Sequence, residues 1–140
     1  MQHHLEKAIS IAIAAHKGQV DKGGNPYILH PLRVMHSVNT IEEKIVALLH
    51  DVVEDSDITI EKLRQDSFNE YILTAIEVLT KSENISYECY IERIKNNSIA
   101  TVVKIADLLD NMDMTRLNIL NVEDSKRLVK YENAYKYLNS

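Results

Sequence analysis

Four residues in three separate stretches carry side chains that bind hard or borderline divalent metal ions: His30, His50, Asp51 and Asp107. A mixed set of imidazoles and carboxylates suits manganese, iron or zinc more than calcium, which prefers oxygen ligands alone. Spacing alone leaves an alternative open, because six histidines in a chain of 140 residues supply such combinations by chance. In that alternative the histidines are surface residues or hydrogen-bonded residues of the core.

Three carboxylates share one face of a predicted helix, since Glu54 and Asp55 follow Asp51 by three and four residues. Like charges at this spacing repel one another unless a cation compensates them. Apolar residues flank the acids and bring part of this face to the core. Two interpretations remain: a solvated helix end, or a metal-and-water site in which one carboxylate binds the ion and the next orients the attacking water.

A later helix places Lys104, Asp107 and Asn111 on one face, at positions i, i+3 and i+7. Asp107 lies within the apolar run 102–109, where an unpaired carboxylate is unfavourable. The alternative is an ordinary surface pair between Lys104 and Asp107, which stabilises a helix by about 0.2–0.5 kcal/mol. The pattern supports both interpretations.

Helices must position these side chains, because only three glycines and two prolines interrupt the chain. Apolar residues at steps of three and four predict helices over 5–16, from Thr40, from Ser67, from Ser86, after Ser98, and through 128–138. Another helix is predicted from His30, because Pro31 suits the first helical position. Capping boxes that pair Thr40 with Glu43 and Ser67 with Glu70 indicate two of the starts. Residues 19–28 show no periodicity and are predicted to form an ordered loop. The sequence therefore predicts one compact all-α helical bundle over residues 1–140.

Charge and cysteine content exclude several classes of protein. The formal net charge of -5 argues against binding of a nucleic-acid backbone, although a bound cation still permits a small phosphorylated substrate. A single cysteine, Cys89, excludes an internal disulfide framework and a multi-cysteine zinc site. No stretch approaches the roughly 18 to 20 apolar residues of a membrane span, and no secretory signal begins the chain. We therefore expect a cytoplasmic protein with no membrane or nucleic-acid partner, and the sequence leaves its oligomeric state open.

Taken in order, several segments resemble the HD-domain metal-dependent phosphohydrolases, and in particular the hydrolase module of the RelA/SpoT-type guanosine polyphosphate (ppGpp) enzymes, including their small stand-alone forms. The matching segments are AHKGQ (15–19), KGG (22–24), PYILHP (26–31), ALLHDVVEDS (47–56), TK (80–81), KIAD (104–107) and NM (111–112). These segments extend over most of the chain in the family's order, which makes the resemblance far more specific than any single motif.

The resemblance implies a role for each matching residue. The metal ligands, usually of manganese in this subfamily, are His30, His50, Asp51 and Asp107. The pair that activates or positions the attacking water is Glu54 and Asp55. The positions that bind a nucleotide substrate are Lys22, Tyr27, Lys81 and Asn111, and His16 is expected to be structural. The implied activity is removal of the 3′-pyrophosphate of ppGpp.

The sequence departs from the family pattern around these residues. Asp21 replaces the usual arginine before the lysine, and the usual Arg-Leu-His-Asn-Met-Arg-Thr after the metal-binding aspartate becomes Leu108, Leu109, Asp110, Asn111, Met112, Asp113 and Met114. Exchange of a cation for an anion beside a polyphosphate reverses a local interaction worth up to a few kcal/mol at contact distance. The departures therefore predict a weakened anion-binding surround. They keep three alternatives open: an HD phosphohydrolase for a less anionic nucleotide, a non-catalytic nucleotide sensor, and a helical interaction domain without an active site.

Overall fold

The structure is a computed structural model that describes residues 2–113 and 121–140. Within these ranges the chain forms eight helices and no extended strand, which confirms the predicted all-α fold. The helices are α1 (Gln2–Ala15), α2 (Leu29–Ser37), α3 (Ile41–Asp55), α4 (Ile60–Gln65), α5 (Glu70–Leu79), α6 (Tyr87–Lys95), α7 (Ser98–Asn111) and α8 (Val122–Leu138). None of the helices in the described ranges is both long and apolar enough to cross a membrane.

Helix α3 is the centre of the bundle and packs against α1, α2, α5 and α7. Eight consecutive residues of α3, from Ile45 to Val52, are buried, so this part of the helix is enclosed on all sides. Six of the eight are apolar and form the core with side chains from the surrounding helices. The other two, His50 and Asp51, are therefore carried into the interior by the packing of their neighbours.

The predicted start of α3 is confirmed. The Thr40 hydroxyl accepts a hydrogen bond from the Glu43 backbone N–H, and the Glu43 carboxylate accepts one from the Thr40 N–H, as the capping box requires. Ser86 likewise caps α6 by accepting a hydrogen bond from the Cys89 N–H. Each of these caps is a local arrangement of residues that the sequence pattern describes completely.

The predicted capping box of α5 is wrong. Asn69, not Ser67, accepts the hydrogen bond from the Ile72 N–H, and Glu70 pairs with the Arg64 guanidinium at 2.9 Å. Ser67 instead adopts a positive φ of 71° just after α4. The physical reason is that α4 ends only two residues earlier, so the chain must reverse direction at Ser67 before α5 begins.

Other boundaries differ by smaller amounts. The short helix α4 escaped the sequence analysis because six residues are too few to show a period, although Thr59 caps it by accepting from the Lys62 N–H. Helix α7 begins at Ser98 itself and is capped by Asn97. Residues 19–28 form a loop outside the helices, as predicted, and the loop closes through an isolated β-bridge between Val20 and Pro26.

Candidate metal centre

The structure brings together the four residues predicted to bind a metal ion. His30 comes from α2, His50 and Asp51 from α3, and Asp107 from α7, and all four side chains are buried. One ligand atom from each of His30, Asp51 and Asp107 lies within 4.8 Å of the other two. The His50 Nε2 lies 3.1 Å from Asp51 Oδ1 and 3.9 Å from Asp107 Oδ1. Two imidazoles and two carboxylates therefore converge on one small volume, which fits a single divalent ion.

The backbone of α3 fixes the His50 ring. Its Nδ1 lies 3.3 Å from the carbonyl oxygen of Val46 and 3.2 Å from that of Ala47. A carbonyl oxygen only accepts, so the proton of the neutral ring is on Nδ1 and the lone pair is on Nε2. The nitrogen that faces Asp51 and Asp107 is therefore the one able to bind a metal ion.

The charges of the cluster are balanced by neighbouring side chains. Burial alone would lower the pKa of His30, but its hydrogen bonds to Asp107 (2.8 Å) and Asp110 (2.6 Å) raise this pKa to about 10. Burial alone would raise the pKa of Asp107, but Lys104 and His30 hold it well below the usual range of a carboxyl. These two hydrogen bonds favour the His30 ring with a proton on each nitrogen, and a metal ion bound at Nε2 would take the place of the proton there.

The pair formed by Lys104 and Asp107 lies in the interior rather than on the surface. The Lys104 Nζ donates to Asp107 Oδ2 at 3.0 Å, and the two side chains are only 12% and 5% exposed. The Asn111 Nδ2 reaches the other oxygen of Asp107 at 3.5 Å. The interpretation of this face as an ordinary solvated pair is therefore wrong, because Asp107 is directed inward toward the two histidines.

The two carboxylates predicted to handle the attacking water lie at the end of α3. Glu54 and Asp55 are exposed, unlike Asp51 one turn before them. Partial desolvation raises the pKa of both carboxyls, and the charge of Asp51 adds to the shift. A carboxylate with a raised pKa is a stronger base, so this position suits proton transfer from water.

A cavity of about 320 Å³ adjoins the cluster. The Tyr27 hydroxyl donates to Asp51 Oδ2 at 2.8 Å, and both Tyr27 and Asn111 line the cavity. Two cationic residues, Lys22 and Arg127, line it as well, and both pair with the buried carboxylate of Asp124, at 3.1 Å and 2.6 Å. Tyr27 and Asn111 therefore link the candidate metal ligands Asp51 and Asp107 to the wall of this cavity.

Comparison with known proteins assigns the family. The family model of the HD domain matches residues 8–127. The chain belongs to the HD-domain family. It is 32% identical over 138 residues to a guanosine-3′,5′-bis(diphosphate) 3′-pyrophosphohydrolase of Aquifex aeolicus, a match that covers 90% of this chain and 19% of that protein. A protein of the same name from Borreliella burgdorferi is 32% identical over 141 residues, covering 89% of this chain and 20% of its own length.

A solved structure shows the same fold. It comes from work on a metazoan ortholog of SpoT that hydrolyzes ppGpp, and it superposes with a TM-score of 0.79 at 21% identity, covering 96% of this chain and 84% of that one. The HD domain described here spans about a fifth of the length of the curated relatives it matches. The likeness to these relatives therefore concerns one domain of much longer proteins.

Not every predicted substrate contact of this HD domain faces the cavity. The Lys81 ammonium donates to the carbonyl oxygens of Ser82 and Ile85, at 3.1 Å and 2.9 Å, and the Lys81 backbone N–H donates to Glu54 Oε1 at 3.0 Å. Lys81 is absent from the described lining of the cavity. Its contact with the site runs through its backbone, which holds the Glu54 carboxylate.

Structural roles account for some of the departures from the family pattern. The Asp21 carboxylate accepts from the backbone N–H groups of Gly23 and Asn25, both at 2.9 Å, and so stabilises the loop. Leu108 is fully buried in the core. The Asp110 carboxylate is engaged by His30 and by the Arg33 guanidinium. Neither Leu108 nor Asp110 lines the cavity of about 320 Å³, and the effect of these two exchanges on substrate binding stays a prediction.

The remaining departures divide between the cavity and the undescribed segment. Asp113 lines the cavity, whereas Met114 lies outside the described residues. The expected structural role of His16 agrees with its burial, its hydrogen bond to Gln19 at 2.9 Å and the packing of its ring against Tyr27.

Nothing in the sequence indicated that Asp124 and Arg127 lie near the site, or which partner Asp110 contacts. Arg127 and Asp124 on α8 face the cavity, and their spacing of three residues indicates only a common helix face. Asp110 contacts a metal-binding histidine that is 80 residues away in the chain. No pattern within one segment could have signalled that contact, because it depends on how α2 packs against α7.

Proposed function

We propose that this HD domain is a manganese-dependent hydrolase that removes the 3′-pyrophosphate of ppGpp. The observation that carries the proposal is the buried cluster of His30, Asp51 and Asp107 beside a cavity that has two cationic side chains at a distance. The names of the relatives support the choice of substrate.

The metal ion would be held by His30, His50, Asp51 and Asp107. Imidazole and carboxylate ligands together suit Mn²⁺, which accepts both nitrogen and oxygen donors. When bound, such an ion polarises a phosphoryl oxygen and lowers the pKa of water in contact with it. The protein residues supply the remaining functions.

In the proposed reaction a water oxygen attacks the phosphorus attached to the ribose 3′ oxygen. A new P–O bond forms, the bond between phosphorus and O3′ breaks, and the products are GDP and pyrophosphate. Glu54 or Asp55 accepts the proton that the water loses, and the raised pKa of each carboxyl favours that transfer. The departing 3′ oxygen takes up a proton, from that carboxyl or from solvent, and becomes the 3′ hydroxyl of GDP. The Lys81 N–H orients Glu54 for this role through its hydrogen bond at 3.0 Å.

The side chains of the cavity would bind and orient the nucleotide. Lys22 and Arg127 provide positive charge for phosphate groups, and Arg127 offers the forked geometry that phosphates prefer. Tyr27 and Asn111 contact the metal-binding carboxylates and line the same cavity, so they lie between the reacting centre and the bound nucleotide.

A second candidate is an HD phosphohydrolase for a less anionic nucleotide. Three acidic residues, Asp21, Asp113 and Asp124, line the cavity together with only two cations, Lys22 and Arg127. Among the described residues, the lining therefore carries no excess of positive charge for a substrate with four phosphates.

We place this activity in the cytoplasm. A nucleotide substrate is available there, and the lone thiol of Cys89, which is exposed, suits a reducing compartment.

The test is turnover by the purified protein. With Mn²⁺ and ppGpp, pyrophosphate and GDP should appear in equal amounts, and chelation of the metal or the Asp51→Asn substitution should abolish their release. Preferential turnover of a nucleotide with fewer phosphates would support the second candidate. Saturable, metal-dependent nucleotide binding without product, or no turnover across a broad nucleotide panel with metal present, would contradict the proposal of an enzyme.

A further inference from the structure

We propose that Asp110 is a positioning residue that holds His30 in the orientation needed to bind the metal ion. This inference rests on the proposed metal centre but concerns a residue that the family pattern does not supply, since the family usually has a histidine at this position. A carboxylate behind a metal-binding imidazole fixes the ring and strengthens it as a ligand.

The geometry of the His30 ring supports this role. One nitrogen, Nε2, faces the cluster, 2.8 Å from Asp107 Oδ1 and 3.7 Å from Asp51 Oδ2. The other, Nδ1, donates to Asp110 Oδ2 at 2.6 Å. When the ring is neutral and a carboxylate holds its proton on Nδ1, the lone pair is on Nε2, the nitrogen that faces Asp107 and Asp51.

Arg33 fixes Asp110 in turn. Its Nε donates to Asp110 Oδ1 at 2.7 Å and its second guanidinium nitrogen donates to Oδ2 at 3.1 Å. A forked pair of this kind holds the plane of the carboxylate as well as its position. Because Arg33 lies one turn after His30 on α2, the same carboxylate on α7 binds two successive turns of that helix.

A purely structural role makes a different prediction. If the contact only joined α2 to α7, then loss of either Asp110 or Arg33 would destabilise the bundle. In that case a folded variant of either residue would bind the metal ion as tightly as the wild type. If Asp110 positions the ligand, then loss of the carboxylate lowers metal affinity far more than loss of Arg33, because the Arg33→Gln variant retains the hydrogen bond between Asp110 and His30.

The experiment is a calorimetric titration of the full chain with Mn²⁺, with the melting temperature of each metal-free variant measured alongside. We expect Asp110→Ala to weaken Mn²⁺ binding by about 10- to 100-fold. The Asp110→Asn variant keeps an acceptor oxygen, so its affinity for Mn²⁺ should fall less. The affinity of the Arg33→Gln variant should fall least of the three. The matched control is Glu70→Ala. Glu70 forms a second forked carboxylate–arginine pair, with Arg64 on the surface, and its loss should leave the affinity for Mn²⁺ unchanged.

The possible results separate the two proposals. If the wild-type protein binds no Mn²⁺, the metal centre itself is wrong. If the wild type binds Mn²⁺ and a folded Asp110→Ala or Asp110→Asn variant binds it equally well, the metal centre stands and the role of Asp110 is refuted. Equal losses of affinity in Asp110→Ala and Arg33→Gln would also refute it. Recovery of full turnover by Asp110→Ala at high Mn²⁺ concentration would support it, since positioning then limits binding rather than chemistry.

Discussion

Substitution of Asp107 should damage the fold as well as the metal centre, in contrast to substitution of Asp51. The Asp107 carboxylate balances the buried ammonium of Lys104 at 3.0 Å, and the Lys104 side chain is only 12% exposed. Removal of one partner of a buried ion pair costs about 3–5 kcal/mol, because the other charge remains buried without compensation. Asp51 lies 3.7 Å from the His30 ring, but His30 keeps its closer partners Asp107 and Asp110, at 2.8 Å and 2.6 Å, when Asp51 is replaced. An asparagine at position 51 can also still accept the hydrogen bond from the Tyr27 hydroxyl at 2.8 Å. Loss of charge at Asp51 should therefore cost about 1 kcal/mol.

Urea unfolding in the presence of a chelator measures this difference without any contribution from metal. With a slope of about 2 kcal/mol per M, Asp107→Asn should lower the unfolding midpoint by roughly 2 M and Asp51→Asn by less than 1 M. The double variant Lys104→Met/Asp107→Asn removes the unpaired ammonium and should recover most of the loss. Equal midpoints for the two single variants, or no recovery in the double variant, would refute the reasoning.

Three further predictions follow from the site and the fold. Glu54→Gln should lower kcat by about 10²- to 10⁴-fold while Mn²⁺ affinity stays unchanged, and a parallel loss of metal binding would contradict the assigned role. Mn²⁺ at 100 times its dissociation constant should stabilise the protein by about 2.7 kcal/mol and raise the melting temperature by roughly 5–10 °C. The melting temperature of Asp51→Asn should rise only by the small amount that weak surface binding of Mn²⁺ causes. In chelator, Asn69→Ala should destabilise the fold by about 1 kcal/mol and Ser67→Ala by much less, as measured by urea midpoints. The reverse order would show that Ser67 caps α5, as the sequence pattern predicts.

The residues of the candidate metal centre could be identified in the sequence because each is part of a short segment whose order along the chain matches a known family. His50 and Asp51 also lie between apolar residues that had to be buried, so the sequence indicated their burial too. The cap at Thr40 was predictable for a similar reason, since both of its partners lie within four residues.

What the sequence did not reveal depends on packing between distant elements. The spacing of Ser67 and Glu70 matches a capping box as well as the spacing of Thr40 and Glu43 does. The Glu70 carboxylate nevertheless pairs with Arg64, which lies on the preceding short helix. Aspartate at position 110 suggested an unfavourable charge near a polyphosphate, whereas the packing of α2 against α7 directs it to His30 and Arg33. The sign of a charge is visible in a sequence, but the partner it meets is decided by the fold.

The central claim is that two imidazoles and two carboxylates from three helices hold one ion. Anomalous diffraction from crystals grown with Mn²⁺ tests it most directly. We expect one strong peak, bonded to the Nε2 atoms of His30 and His50 and to carboxylate oxygens of Asp51 and Asp107. A well-ordered crystal with Mn²⁺ bound elsewhere, or with these four groups free of metal at a saturating concentration, would contradict it.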